Sequence, residues 1–501
     1  MNKVLKSSFI IILVILLSKV LGFIREFCIV YVFGVSYKTD AFLEASVVPQ
    51  LLFSTIDLAF AAVLIPIIQE IKLKDKEKLP GFVLALSVST SLVLVIVTLI
   101  GLIFNNTIIN IVAAGSASNV KTLAIVLTQI MMPMIIFQGI IQILIAALRV
   151  LDRPIIGNFI GIPYNILIIL GIFLGKDYLG VYGVSIFIVL GTLLQALLLV
   201  IYCIKLNVYN RFKFSEQKIY LKKVVILGVP TLLSTLFAQL QVVTERVLAS
   251  HLETGSITIV FYVNKLFTLV IFIILTLINS VLYPKMTSWA LNNKNGEFEK
   301  NMGGIIKYTI MILFPASIFL ILNAHEIVFL VLGNGHVDTK SLVTISKGFG
   351  FASLGLIVLI LKDILLKILF SVQKVAIATR LSVISIVISI ILSIVLVNLY
   401  GVYGIILATP LATFITVFLL MYILNKKVKI HLNFSFSLFE IIWLLTIGVF
   451  IFLGNNLIKS YIQNIYINVS INCLIFIGLF GLSYLIVSKF FPKNGMLGLE
   501  K

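Results

Sequence analysis

The sequence predicts an all-α polytopic membrane protein of about 14 transmembrane helices, arranged as two pseudo-symmetric six-helix lobes followed by two C-terminal helices. Composition, the sorting of cations and an internal repeat lead there. Of 501 residues, 61% are apolar and only 11% charged, and the mean hydropathy is +1.19. Soluble domains run near half apolar and a quarter charged, so a secreted enzyme, a cytosolic enzyme and a disordered scaffold are excluded. About 20 apolar residues cross a bilayer, which gives this chain room for roughly a dozen spans or more.

Apolar runs broken by charge or turn residues begin near Leu5, Asp40, Gly81, Thr122, Pro154, Val181, Val224, Ile257, Gly304, Ser341, Val375, Gly401, Ser437 and Ile465. In the first, Lys3 and Lys6 ahead of an apolar run imitate a signal peptide. No small-residue cleavage site precedes Lys19, so the run is expected to stay as the first span.

With the N-terminus inside, the inner segments are Lys3 and Lys6, Lys72 to Lys78, Arg149 to Arg153, Lys205 to Lys223, Lys285 to Lys307, Lys367 to Arg380, Lys426 to Lys429, and Lys489, Lys493 and Lys501. They hold 27 of the 38 Lys and Arg, against five outside: Lys38, Lys121, Lys176, Lys340 and Lys459. The positive-inside rule then expects both termini in the cytoplasm, and the formal charge of +19 needs no nucleic acid to explain it. Within 207–223, Tyr209, Phe212, Phe214, Ile219 and Tyr220 interleave with Arg211, Lys213, Lys218 and Lys222. Such a segment is expected to lie as a basic interfacial linker on anionic inner-leaflet lipids.

Gly180-Val181-Tyr182-Gly183 recurs 221 residues later as Gly401-Val402-Tyr403-Gly404, and the same displacement places Arg153 on Lys374, Gly34 on Gly255 and Arg25 on Arg246. Six spans per repeat keep the two copies in the same orientation. The expected organisation is an N-lobe over 1–206, the linker over 207–223, a C-lobe over 224–429, and two helices outside the repeat over 430–501. Transporters of this design hold substrate between their halves near the midplane.

Six cations remain within spans, Lys19, Arg25, Arg246, Lys265, Lys347 and Lys362, together with Glu26, Glu44, Asp57, Glu245 and Asp363. Each charge at mid-bilayer costs about 2.5–3.5 kcal/mol on insertion scales, so these must face a wet cavity or one another. Ser18, Gly22 and Arg25 share one helix face, and Glu26 stacks over Lys19 at a spacing of seven. Gly22 is expected to leave room for a partner backbone or a headgroup. Arg246 is expected opposite Arg25, with Lys265 completing a cationic lining suited to a phosphate or pyrophosphate. The plainer alternative is internal pairing: Arg25 with Glu26, Arg246 with Glu245, Lys362 with Asp363. Cys28, Cys203 and Cys473 fall in apolar runs without metal or redox spacing, and His251, His325, His336 and His431 are scattered. No Walker-type loop is present, so the driving force is expected from an ion gradient, the membrane potential or the cargo's own flux.

Ser18-Lys19-Val20-Leu21-Gly22-Phe23-Ile24-Arg25-Glu26, Phe33-Gly34, Thr39-Asp40-Ala41-Phe42, Pro49, Leu51-Leu52 and Ile65-Pro66 resemble the opening of the MurJ (MviN) lipid II flippases, within the multidrug/oligosaccharidyl-lipid/polysaccharide exporter superfamily. The resemblance resumes at Glu245-Arg246, Ala249-Ser250, Gly255-Ser256, Tyr262, Asn264-Lys265-Leu266 and Tyr283-Pro284-Lys285, and covers essentially the whole chain. It implies a transporter rather than an enzyme. Its cargo would be undecaprenyl-pyrophosphate-linked peptidoglycan precursor, moved from the inner to the outer leaflet of the bacterial cytoplasmic membrane by alternating access.

By position, Arg25, Lys265 and Lys19 match cavity cations of the family, and Asp40 and Glu26 match its acidic cavity positions; Arg246 joins them through the repeat. Ser18, Gly22, Gly34, Ala249, Ser250 and Gly255 are candidates for gating or packing, and Glu44, Asp57, Glu245, Lys362 and Asp363 for a coupling or charge network. The last two helices would hold the lipid tail. Where many members carry an arginine just before the proline of the second span, this chain has Val47; Glu44 and Asp57 replace small or apolar residues, and Asn264 replaces an acid before Lys265. Ser385 and Ser389 stand where some members hold a cation with Asn and Asp, which speaks against sodium among the candidate couplings of Na+, H+ and membrane potential. No cofactor or metal is expected, and cell-wall synthesis proteins are candidate partners. The competing readings are a flippase for another polyprenyl-linked glycan, a cation-coupled exporter, and a non-transporting envelope scaffold.

Overall fold

The computed structural model describes residues 3–209, 214–291, 296–432 and 435–461, with 471, 472 and 478. The expected fourteenth span from Ile465, Cys473, the linker residues Arg211, Phe212 and Lys213, and the tail cations Lys489, Lys493 and Lys501 lie outside the described residues. Every regular element described is helical. Ten helices among the described residues are long and apolar enough to cross a membrane, eleven if Ser118–Met131 and Met134–Val150, bent by 41° at their junction, form one span. The chain is a multi-pass membrane protein.

Two compact units form, one of residues 1–258 with 335–337, the other of 259–334 with 338–501. The first contains α1 (Lys3–Phe33), α2 (Tyr37–Lys74), α3 (Leu79–Ile103), α4 (Asn105–Val112), α5 (Ser118–Met131), α6 (Met134–Val150), α7 (Pro154–Phe159), α8 (Gly161–Gly175), α9 (Gly180–Lys205) and α10 (Phe214–Ser250). Ser36 caps α2, its hydroxyl accepting from the Thr39 N–H. Pro133 lacks an N–H to continue α5, so the expected span from Thr122 divides there into α5 and α6. Leu64, Ile67, Ile68 and Ile71 of α2 pack with Phe82 and Val83 of α3 and Ile143, Leu144 and Ala147 of α6 in one core. The second half of the expected linker is helical: from Phe214 no proline or glycine interrupts the chain until Gly228, and α10 runs on through 223.

The second unit carries most of α11 (Ser256–Leu277), then α12 (Tyr283–Leu291), α13 (Glu297–Leu322), α14 (Ala324–Leu332), α15 (Thr339–Leu354), α16 (Leu356–Ser371), α17 (Val375–Tyr400), α18 (Val402–Ile423) and α19 (Leu438–Tyr461). Its packing is inside-out relative to a soluble protein. On α17, Val383, Val387, Ile391 and Ile394 are exposed while Ser385, Ser389 and Ser393 are buried. Lipid is as apolar as leucine, so small residues that let backbones approach drive association. The facing row on α18 is Gly404, Ala408, Ala412 and Thr416, all buried; a Cβ on Gly404 would lie 2.1 Å from the Leu396 carbonyl oxygen. The Ser389 and Thr409 hydroxyls meet at 3.3 Å. Lys307 of α13 pairs with Glu440 at 2.8 Å, and Glu440 with Ser437 forms a reciprocal capping box that starts α19.

The displacement read from the sequence recurs in the backbone. Gly34 and Gly255 have φ of +66° and +96°, Gly180 and Gly401 of +54° and +56°. Two non-glycine residues, Asp152 and Gln373, stand at the same offset with φ of +59° and +61°. Each ends its helix by the same pair of bonds, Arg153 N–H to Leu148 O and Asp152 N–H to Arg149 O in one copy, Lys374 N–H to Leu369 O and Gln373 N–H to Phe370 O in the other.

Lys367 departs from its expected place in an inner loop. It is no loop cation but lies within α16, 7% exposed, because nothing in the apolar run before Ser371 stops the helix. Asp363 gives its carboxylate to Lys367 rather than exclusively to Lys362, at the favoured spacing of acid four residues before base.

Candidate functional site

The first helix presents its expected face to α8. Asn165 Nδ2 donates to the Ser18 carbonyl at 3.2 Å and to Gly161 O at 2.8 Å, and a Cβ on Gly161 would lie 2.2 Å from Ser18 Oγ. Gly22 faces the Asn165 amide at 3.8 Å from an ideal Cβ, an ordinary contact that alanine would also make. Arg25 follows on the same side, its guanidinium 5.3 Å from the Tyr164 ring centroid and ion-paired with Glu26. Glu26 is therefore engaged by its neighbour and not simply stacked over Lys19. Lys19 is exposed, and its charge acts on Asp57, together with that of Arg149.

The densest polar constellation forms at the N-terminal end of α2. Asp40, 2% exposed, accepts hydrogen bonds from Gly255 N–H at 2.5 Å, Thr258 N–H at 2.9 Å and the Thr258 hydroxyl at 2.5 Å. The carboxylate thereby caps α11, where orphan amides and the helix dipole favour negative charge. Gly255 can make this turn because its φ is +96°, and a Cβ there would lie 2.7 Å from Val35 Cγ1. Arg246 on α10, 8% exposed, adds positive charge acting on both Asp40 and Glu44.

Neighbouring turns join this end. Gly115 N–H donates to Ser250 Oγ at 3.1 Å, and that hydroxyl donates to Val247 O. Ala249 is buried beside it. Ser116 Oγ donates to Glu44 Oε1 at 2.5 Å. The 335–337 turn rests on the end of α1: His336 N–H donates to Tyr31 O at 2.9 Å, and a Cβ on Gly34 would lie 2.2 Å from His336 O. The structure thus brings together Gly34, Asp40, Glu44, Arg246, Ala249, Ser250 and Gly255. Thr258, Ser116, Gly115 and His336 are participants that the sequence reading missed. Thr258 carried one usable signal: it follows the turn glycine at a helix start, where a carboxylate cap finds its donors. Glu245 accepts from Gln241 Nε2 at 3.1 Å. In the second unit, Lys265 Nζ lies 5.3 Å from the Phe261 ring centroid, Lys362 is half-buried on α16, and Lys347 is exposed on α15.

At the opposite end of α2, Tyr220 Oη donates to Asp75 at 2.6 Å and Lys78 approaches the same carboxylate at 3.2 Å. These two partners hold the Asp75 carboxyl below the usual carboxylate range. Lys223 of α10 pairs with Glu70 of α2, and Lys72 donates to Val150 O at 2.6 Å.

A multi-pass helical chain that keeps buried charges within its spans belongs to the class of polytopic membrane proteins with polar sites inside the bundle, and solved structures share the fold. One described as lipid II flippase MurJ in an inward closed conformation aligns with a TM-score of 0.81 at 22% identity, covering 96% of this chain and 99% of its own. An inward-facing multidrug resistance MATE family transporter of the MOP superfamily aligns with a TM-score of 0.65 at 14% identity, covering 79% and 92%. The profile of the family described as lipid II flippase MurJ matches residues 29–472, and the chain belongs to that family. Relatives include the probable lipid II flippase MurJ of Buchnera aphidicola subsp. Schizaphis graminum, 27% identical over 89% of this chain and 88% of that protein. The Vibrio cholerae serotype O1 protein of the same description is 24% identical over 86% and 85%.

Proposed function

We propose that this protein is a lipid II flippase that carries the lipid-linked peptidoglycan precursor from the inner to the outer leaflet by alternating access. The observation that carries the reading is family membership over residues 29–472, in a chain that keeps Arg25, Arg246 and Lys265 within its spans. Arg25 is the residue best suited to grip a diphosphate: its planar guanidinium, ion-paired with Glu26, can offer a phosphate two parallel N–H donors. Arg246, Lys265 and Lys19 supply further positive charge. Positive-inside sorting supports cytoplasmic termini, which puts Lys72 to Lys78 inside and Asp40 at the outer end of α2. On this reading the Asp40 clasp lies on the outer side and opens for release.

Anionic lipids are the fitting partners for the basic 207–223 stretch. The driving force is an ion gradient or the membrane potential. Val47, buried at 7% exposure where the family resemblance implies an arginine, favours one second reading, a related polyprenyl-pyrophosphate glycan as cargo.

The test is complementation of a flippase-depleted bacterium. Arg25→Ala should insert normally and fail to restore growth, and Arg25→Lys should restore it in part. Full growth with Arg25→Ala would overturn the assignment. Native mass spectrometry with lipid II against other polyprenyl pyrophosphates separates the two cargoes.

A further inference from the structure

Glu44 lies one helical turn beyond Asp40 on α2, with 0% exposure. Its Oε1 accepts from Ser116 Oγ at 2.5 Å; among the described residues, nothing hydrogen-bonds its Oε2. An ionised carboxylate has acceptor sites on both oxygens, and leaving one bare in apolar surroundings is strongly disfavoured. Asp40, by contrast, has all its donors. The charges acting on Glu44 are Asp40 on its own helix, Arg246 on α10 and Lys121 on α5. Lys121 Nζ is exposed and donates to Ala114 O at 2.9 Å, and His251 packs its backbone against Gly115 beside Ser116. Arg246 acts on two carboxyls at once, so a single positive charge from α10 is shared between them.

We propose that Glu44 is a proton-binding site, holding a proton on Oε2 in this conformation, and that opening of the Asp40 clasp is linked to release of that proton. The ligand is one hydrogen ion. The route is short: Ser116 belongs to a turn whose neighbours Ala114, Gly115 and Ala117 are exposed. When Asp40 lets go of Gly255 and Thr258, the packing that dries Glu44 is removed. Water then solvates the carboxylate, and the O–H bond breaks with the electron pair left on Oε2 and the proton passed to water. By linkage, acid favours the clasped form and alkali the open one. Proton binding at Glu44 stands apart from the identity of the cargo.

The experiment uses full-length protein in lipid nanodiscs without lipid II, so its outcome is independent of the lipid II assignment. Infrared difference spectroscopy should show a protonated-carboxyl C=O band at neutral pH that disappears on alkalinisation. The band should be missing in Glu44→Gln. Spin labels at Lys38→Cys and Thr254→Cys, with native cysteines replaced, should separate over the same pH range in the otherwise wild-type protein and stay insensitive to pH in Glu44→Gln. Ser116→Ala, which removes the donor that favours the ionised form, should keep the band and raise its midpoint. A wild-type protein with no such band at neutral pH, a Glu44→Gln variant with the wild-type response, or an unmoved midpoint in Ser116→Ala would each overturn the proposal.

Discussion

Thr258 gives Asp40 two hydrogen bonds, one from its amide at 2.9 Å and one from its hydroxyl at 2.5 Å, across 218 residues of sequence. With Gly255 as the third donor, the start of α11 is held by one side chain of α2.

Asp40→Asn should therefore loosen this end. The amide keeps one acceptor oxygen and loses the charge, so the cost is on the order of 2 kcal/mol for charge-assisted bonds at a helix start. The thermal midpoint of the purified protein should fall, and a cysteine at 254 should become more reactive to a water-soluble maleimide. An unchanged midpoint and labelling rate would show that the clasp carries no energy.

Alanine at three glycines should rank by geometry. Gly34→Ala should be worst, since its φ is +66° and a Cβ would lie 2.2 Å from the His336 carbonyl oxygen; Gly255→Ala, with φ of +96° and 2.7 Å to Val35 Cγ1, should follow. Each should lose about 1–3 kcal/mol. Gly22→Ala, with 3.8 Å to Asn165, should be neutral or gain up to about 1 kcal/mol from helix propensity. Thermal midpoints in one detergent give the order, and a Gly22→Ala variant as damaged as Gly34→Ala would contradict it.

Asp75 predicts an acid response. Its carboxyl is held low by Tyr220 and Lys78, so the bond contributes stability above the ordinary carboxylate pKa of about 4. That contribution falls away as the pH drops from there through the depressed folded value. Tyr220→Phe should be less stable than wild type at pH 7 and lose less as the pH falls below about 4, where the wild type gives up the Tyr220 contribution. Parallel stability curves would argue against this tie.

Lys307→Met removes the partner of Glu440, whose side chain is 5% exposed. An uncompensated buried carboxylate costs about 3 kcal/mol. Limited proteolysis should cut before α19 sooner than in wild type, and Lys307→Met with Glu440→Gln should recover part of the loss.

Much of the architecture was legible because its causes are local. Each of the first thirteen expected span starts falls in or next to a helix, and the turn glycines at the 221-residue offset adopt matching positive φ. Hydrophobic runs and glycine requirements are properties of neighbours in sequence. The breaks at Pro133 and Gly355 are invisible to hydropathy, which continues unchanged through them. Arg25 with Glu26 could be named from adjacency. Asp40 could be named as an acid of the site, but its donors could not: Gly255 and Thr258 become its partners only once α2 meets the start of α11. Lys367 eludes the sequence for a related reason: its partner Asp363 lets a cation remain inside a helix that charge alone would end.

The left-handed caps at Asp152 and Gln373 bear on how the chain enters its bilayer. Each closes its helix with bonds drawn from that helix's own last turns, Leu148 and Arg149 in one, Leu369 and Phe370 in the other. The backbone bonds that stop each helix are its own, with Lys72 of α2 adding a bond to Val150 O in the first copy. These spans can thus leave the insertion machinery with their lengths already set, so that lateral assembly need only choose among finished rods.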